Sequence, residues 1–235
     1  MDAPSPQRAL LDAVERLDAR GVERALALGA DPLAEGPDGF TPLLSIVHSP
    51  HPSARPSTPE RLACARALLP VSDLGFVFER HAWRPSLLAA AIYSAPAGDV
   101  DLILALLDAG ARDAPGCGLP SLVMAALTRR IDCASELLAR GVDPLSRDEC
   151  GRDALMHAAQ SGDLLLAELL AESCDPLAVD SFGMGAADYA SANRTAARIP
   201  ILDMVEARAR SARDALAIAR ATLDPASASL RAPRL

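Results

Sequence analysis

The stretch Asp148-Glu149-Cys150-Gly151-Arg152-Asp153-Ala154-Leu155-Met156-His157-Ala158-Ala159-Gln160-Ser161-Gly162-Asp163 runs on through 164–170 to Ser173-Cys174-Asp175-Pro176. It reads as turn, short helix, turn, second helix, turn. Ala158-Ala159 thins one side of the first helix, so that a neighbour can lie close. Leu164-Leu165-Leu166 and Leu169-Leu170 give the second helix the bulk to fill space between units. A unit of this size cannot bury its own apolar face, and stability then comes from stacking on copies of itself.

Copies are present. Leucine-rich stretches end in a short turn at Leu28-Gly29-Ala30-Asp31-Pro32, Leu69-Pro70-Val71-Ser72-Asp73, Leu107-Asp108-Ala109-Gly110-Ala111, Leu138-Ala139-Arg140-Gly141-Val142-Asp143-Pro144 and Leu170-Ala171-Glu172-Ser173-Cys174-Asp175-Pro176. The turn positions 29, 70, 110, 141 and 173 lie 41, 40, 31 and 32 residues apart. Glycine at 29, 110 and 141 suits the left-handed conformation that ends a helix. Thr41 before Pro42 gives a hydroxyl cap followed by proline at the first helical position. Small pairs recur at Ala90-Ala91, Ala125-Ala126 and Ala158-Ala159. A plain helical bundle is the competing architecture, and it gives no reason for the same turn to return at this spacing.

The pattern resembles the ankyrin-repeat family over residues 7 to 209. Besides the unit at 148–176, it is carried by Asp38-Gly39-Phe40-Thr41-Pro42-Leu43 and by Asp180-Ser181-Phe182-Gly183-Met184-Gly185-Ala186-Ala187-Asp188-Tyr189-Ala190. Weaker units begin at Pro85-Ser86-Leu87 and Pro120-Ser121-Leu122. The resemblance implies an all-α repeat solenoid of stacked helix-turn-helix units with hairpin-like fingers. The expected division is an N-terminal capping pair at 7–33 without a hairpin of its own, then repeats near 38–73, 80–113, 115–144, 148–176 and 180–209. A C-terminal capping helix at 210–224, started by Ser211 with Asp214, and a disordered tail at 225–235 complete it.

The two long spacings locate insertions. Residues 48–59 carry four prolines between inner and outer helix and read as an exposed, semi-extended loop, with Thr58-Pro59-Glu60 restarting the outer helix. Its P-x-x-P spacing is a weak signal for an SH3-like partner. A smaller insertion follows Ile92-Tyr93, and the preceding finger region, 76–84, holds the single tryptophan, Trp83. Both insertions decorate one local region.

The 23 cations are all arginine, and 31 acids bring the net charge to −8. Residues 194–235 carry eight arginines and four acids, net +4, so the rest of the chain holds −12. A net-acidic chain is a poor binder of nucleic acid. Ile201, Val205, Ala209, Ala212, Leu216, Ala219 and Leu223 recur at helical spacing. That face is mostly alanine and offers a membrane little. Apolar runs fall far short of the roughly 20 residues a membrane helix needs. The first residues show no signal peptide, and five irregularly spaced cysteines read as free thiols in a reducing compartment. A cytoplasmic location is expected. Absence of lysine would shield a protein injected into a host from ubiquitin, but a GC-rich bacterial codon bias explains it more cheaply.

No catalytic constellation emerges: there is no G-x-S-x-G, phosphate loop, H-E-x-x-H or C-x-x-C. Cys64 reads as a small core residue, His157 as a structural hydrogen-bonded histidine, and Asp148-Glu149 as a solvated finger tip. His48 and His51 have no acidic or cysteine partner beside them. No enzyme activity, cofactor or metal is expected. The resemblance implies a concave binding face for a protein partner, with the free chain a monomer. Aligning the units places Asp38, Phe40, His81, Arg84, Glu149, Arg152, Phe182 and Met184 on successive fingers, with Trp83 where a finger glycine is expected. The inner-helix ends fall at His48, Tyr93, Thr128, Gln160 and Asn193. Four of only seven aromatics, Phe40, Trp83, Tyr93 and Phe182, take such positions. They are either binding anchors or, for Phe40 and Phe182, packing at the base of a finger. The expected role is a bacterial adaptor, regulatory or immunity-type inhibitor protein; an effector acting on a host protein is the alternative, and an uncharacterised enzyme a distant one.

Overall fold

Helices begin where the side chains can satisfy orphan amides. Ser5, Thr41, Thr58, Ser86, Asp153 and Asp163 each accept a backbone N–H three residues on, and proline follows directly at 6, 42 and 59. The structure, a computed structural model, describes residues 5–37, 39–48, 58–75, 84–96 and 98–223. Among them lie twelve α-helices in six pairs. The pairs are α1 (Pro6–Glu15) with α2 (Ala19–Ala27), α3 (Pro42–Val47) with α4 (Pro59–Leu68), and α5 (Leu87–Ser94) with α6 (Asp101–Asp108). Then come α7 (Ser121–Leu127) with α8 (Ile131–Ala139), α9 (Ala154–Ser161) with α10 (Leu164–Ala171), and α11 (Ala186–Ala192) with α12 (Arg198–Leu223).

Odd-numbered helices form the inner layer, where α3 packs on α5, α5 on α7, α7 on α9 and α9 on α11. Even-numbered helices stack outside them. The alanine pairs do what their size predicts: Ala125, Ala126, Ala158 and Ala159 are wholly buried between inner helices, with Leu106, Leu137 and Leu170 filling from outside. Gly29, Gly110 and Gly141 end outer helices with φ of 87°, 95° and 74°. The next amides reach back to Ala25, Leu106 and Leu137 carbonyls at 3.0, 2.9 and 3.0 Å. A Cβ at these glycines would meet nothing within 4 Å, so the requirement is the left-handed backbone rather than space.

Buried polar side chains close the other edge of the solenoid, where inner helices end. The Arg61 guanidinium, from α4, donates to the Ile46 carbonyl at 2.7 Å and to Val47 at 3.2 Å. Arg130 donates to the Ala95 and Asp99 carbonyls at 3.1 and 3.0 Å and is paired with Asp132 at 2.9 Å, so unit four clasps the small insertion of unit three. Asn193 does the same for α9 through the Ala159 and Gln160 carbonyls.

The C-terminus corrects one expectation. No new helix starts at Ser211: α12 is continuous from Arg198 to Leu223, because a run rich in alanine and arginine contains no breaker after Pro200 in the first turn. It packs on α10 and α11 through Ile201, Val205 and Ala209, all buried, while Leu216 is 48% exposed. Capping is done by the first half of the helix. The 48–59 insertion, apart from His48, Thr58 and Pro59, and the tail at 225–235 lie outside the described residues.

Candidate protein-binding surface

Three of the fingers are turns closed by a backbone hydrogen bond. Gly36 N–H donates to Phe40, Asp148 to Arg152 and Asp180 to Met184, at 2.8 to 2.9 Å. In the last two, an aspartate at the finger root holds the turn from inside. Asp148 Oδ1 accepts the amides of Cys150 and Arg152, and its Oδ2 meets Arg152 Nε at 3.0 Å and His157 Nε2 at 2.9 Å. Asp180 repeats the wiring 32 residues later, taking the amides of Phe182 and Met184 on Oδ1 and the Tyr189 hydroxyl on Oδ2 at 2.6 Å. The reading of Asp148 as a solvated tip residue is therefore corrected: its side chain is only 8% exposed. The signal was an Asp nine residues before a hydrogen-bonding ring, at both 148/157 and 180/189.

Electrostatics follow from this packing. Burial pushes Asp148 up, but the Arg152 amide, His157 and the Arg152 guanidinium outweigh it and hold the carboxyl below its ordinary value. Burial lowers the pKa of His157, partly opposed by Asp148, so the ring is neutral with Nε2 donating. Its Nδ1 is buried without a hydrogen-bond partner among the described residues. The hydrogen bond from Tyr189 lowers Asp180, and the same bond, aided by burial, raises Tyr189. Between units three and four, Asp113 plays a related part, accepting the Ser86 hydroxyl and both the amide and hydroxyl of Ser121.

That last contact shifts the register of the expected surface. Ser121 looks like a helix cap by analogy with Ser86, yet it is the first helical residue and Pro120 is the cap. Counting seven residues from each cap (41, 86, 120, 153, 185), the inner-helix ends are His48, Tyr93, Leu127, Gln160 and Ala192. Thr128 and Asn193 sit one residue too far. The Thr128 hydroxyl folds back on the Met124 carbonyl, and Asn193 is 7% exposed and committed to α9. Leu127, which sequence alignment passed over, is 47% exposed, and Tyr93 beside it 59%.

The remaining expected residues divide. Phe40 packs half-buried against the core and edge-on to His48, with ring centroids 5.5 Å apart. His48 Nδ1 lies 3.5 Å from the Ser94 hydroxyl of the next unit, so Phe40, His48 and Tyr93 are brought to one area. Arg84 is half-buried with φ of 40°, and its carbonyl accepts from Gly118. Met184 packs on the core, and Arg152 is held by Asp148. Glu149 and Gln160 are exposed, and Phe182 stands 76% exposed at its finger tip. Phe40 is thus a base-packing ring and Phe182 is not. Asp38, His81 and Trp83 lie outside the described residues.

Among the described residues no three His, Cys, Asp or Glu side chains gather to hold a metal, and no helix is long and apolar enough to cross a membrane. Burial pushes the thiols of Cys64 and Cys117 up to about 11 and those of Cys133 and Cys174 to about 12, which keeps them protonated at neutral pH.

Residues 87–180 match the family model for ankyrin repeats, in three copies. Among solved structures the chain is similar to the ankyrin repeat domain of Bcl-3, described as a unique member of the IkappaB protein family. The likeness has 23% identity, covers 88% of this chain and 87% of that chain, and has a TM-score of 0.65. At that identity it establishes the fold. No curated protein matches the chain.

Proposed function

With ankyrin repeats over residues 87–180 and the ankyrin-repeat fold across its paired helices as the premise, we propose that this chain is a non-enzymatic module that holds a protein partner on its inner-helix and finger face. The observation that carries the reading is the exposed pair Tyr93 and Leu127, at equivalent positions of α5 and α7 beside His48 and the insertion edge. The residues flanking that pair, Ile92, Ser94 and Ala126, are buried. Large apolar side chains left open on so small-residued a scaffold mark an interaction surface. Gln160, at the equivalent position of α9, adds an exposed polar side chain to the row.

The role is that of a bacterial cytoplasmic adaptor, regulator or immunity-type inhibitor, acting as a free monomer until it meets its partner. The lack of lysine favours one second reading, an effector delivered to a host cell. Affinity capture from the native cell, with the bound protein identified and its affinity remeasured for Tyr93→Ala and Leu127→Ser, tests the surface. Each variant should weaken binding by roughly 1–4 kcal/mol with little change in melting temperature. Variants that bind normally would remove this face from the site.

A further inference from the structure

The last two fingers form a second exposed apolar area. The Ser181 amide donates to the Cys150 carbonyl at 2.9 Å, and the Arg147 guanidinium to the Val179 carbonyl at 2.8 Å, so fingers five and six are fixed side by side. On this joined pair stand Leu145, Val179 and Phe182, with 55%, 50% and 76% of their surfaces open. None of the three is needed inside: the finger roots are held by Asp148 and Asp180, and the units pack through other side chains. A chain with seven aromatics has placed one of them at a finger tip in water.

The surrounding charge selects what can cover them. Residues 148–180 hold eight acids and one arginine, net −7 against a net −8 for the chain, with Asp163 and Glu172 paired to Arg129 and Arg208 of the neighbouring units. Asp143, Glu149 and Asp175 are exposed around the finger pair, and Glu168 is exposed on α10, whereas Glu172 just beyond it is paired with Arg208 at 3.9 Å. Of the cations in reach, Arg152 is held on Asp148 and Arg147 on a carbonyl, while Arg210 and Arg213 line the hollow on the α12 side of Val179. Asp143, Glu149 and Asp175 keep no ion pair among the described residues. An acidic segment would be repelled, and a purely apolar one would desolvate carboxylates without compensation. Positive charge flanking apolar side chains satisfies both demands, with attraction adding speed and selectivity.

Building on the reading of the chain as a protein-binding module, we propose that fingers five and six take a basic segment of the partner, one in which leucine- or phenylalanine-sized side chains alternate with lysine or arginine. The apolar side chains cover Leu145, Val179 and Phe182, and the cations face Asp143, Glu149 and Asp175.

The test uses the full chain and a short fluorescent peptide of lysine and leucine, with lysine/alanine and glutamate/leucine peptides as controls, read by anisotropy. The lysine/leucine peptide should bind, and more weakly as salt rises. Phe182→Ser combined with Val179→Ser should weaken it by about ten-fold or more while circular dichroism is unchanged, and Tyr93→Ala should not. Equal binding of the lysine/alanine peptide, preference for the glutamate/leucine peptide, or full affinity in the Phe182/Val179 variant would overturn the proposal. So would a concentration-dependent dimer dissolved by Phe182→Ser, since the chain itself would then be the occupant. If these results go against it while a captured natural partner is still lost on Tyr93→Ala, the inner-helix reading stands and only this inference falls.

Discussion

Units five and six are wired alike at the finger root; units two and three are not. Asp148 with His157 and Asp180 with Tyr189 bind the same backbone amides and close on a ring nine residues on. In unit two the corresponding positions are Gly36 and Ser45, and the finger is closed by its backbone bond, with Phe40 packed beneath. Unit three has the Ser86–Asp113 contact and a left-handed Arg84 instead. The regular units fix fingers from inside and leave apolar side chains on top. The irregular ones carry the insertions and depend on Arg61 and Arg130 to hold the helix ends around them. Long-range clasps occur at both ends, through Asn193 as well as Arg130, so what distinguishes the stiff end is the carboxylate at its finger roots.

The largest expected effect comes from removing a finger root. Asp148→Ala leaves two amides, an arginine and a buried histidine short of an acceptor, and should cost about 3–5 kcal/mol. Asp180→Ala should cost slightly less, with one ring hydroxyl and two amides affected. Gly36→Ala, where no root carboxylate exists, should stay well below either. Chemical denaturation of the three variants measures the contrast, and equal losses would erase the distinction between the two ends.

Next in size is the clasp on the irregular end. Arg130→Ala should destabilise by about 2–4 kcal/mol, since it uncovers the Ala95 and Asp99 carbonyls and strands Asp132. Hydrogen exchange should rise at residues 95–100 and remain low in α9 and α11. Uniform loosening along the solenoid would show that Arg130 supports the whole stack rather than one insertion.

Much of this architecture was legible in the sequence, for a physical reason: stacked units must repeat the residues that let them stack. Ala158-Ala159 and the turn glycines are such residues, and they pointed to the fold and to the helix pairs. The surface was less legible. Ser121 imitates a cap because Ser86 is one, and only the Asp113 carboxylate, eight residues away, shows that its hydroxyl is used elsewhere. Asn193 looks like an exposed helix end until its amide is seen capping a helix 34 residues earlier. Side chains that act across units leave no mark on local spacing. Continuity of α12 through Ser211 is the same lesson in reverse, since a local capping pattern yields to the propensity of the residues around it.

Acid should separate the two ends more gently. His157 is neutral when folded and its pKa is lowered, so the unfolded chain takes up a proton first as pH falls through the ordinary histidine value of about 6.5. Stability contributed by the neutral ring is full above that value and declines below it, until the folded ring also titrates. Asp148, likewise lowered, adds a loss in the same direction only at carboxylate pH. His157→Gln removes the titrating group while keeping a donor for Asp148. Plotted from pH 7.5 to 5.5, the difference in unfolding free energy between wild type and variant should shrink as pH falls, contributions shared by both proteins cancelling. A flat difference would place the ring outside the linkage.

The smallest effect is at the turns between inner and outer helix, where unit four and unit five again differ. Unit five uses Gly162, with φ of 72°, and a Cβ there would collide with Thr195 Oγ1 and come within 2.8 Å of Asn193 Nδ2. Unit four holds Arg129 in the same left-handed region, at φ of 57°, with its guanidinium 3.2 Å from Asp163. A residue with a Cβ is strained there by about 1–2 kcal/mol. Glycine relieves that strain but loses about 0.5–1 kcal/mol to the greater freedom of the unfolded chain. The ion pair is more than half exposed on the arginine side and contributes no more than about 0.5 kcal/mol. Arg129→Gly should therefore fall between about 0.5 kcal/mol destabilising and about 1.5 kcal/mol stabilising, whereas Gly162→Ala should destabilise clearly through both backbone and collision. A thermal melt of each variant reads the sign. Clear destabilisation by Arg129→Gly would mean that the Asp163 contact holds units four and five together more strongly than an exposed pair can, and the stiff end would then begin one unit earlier.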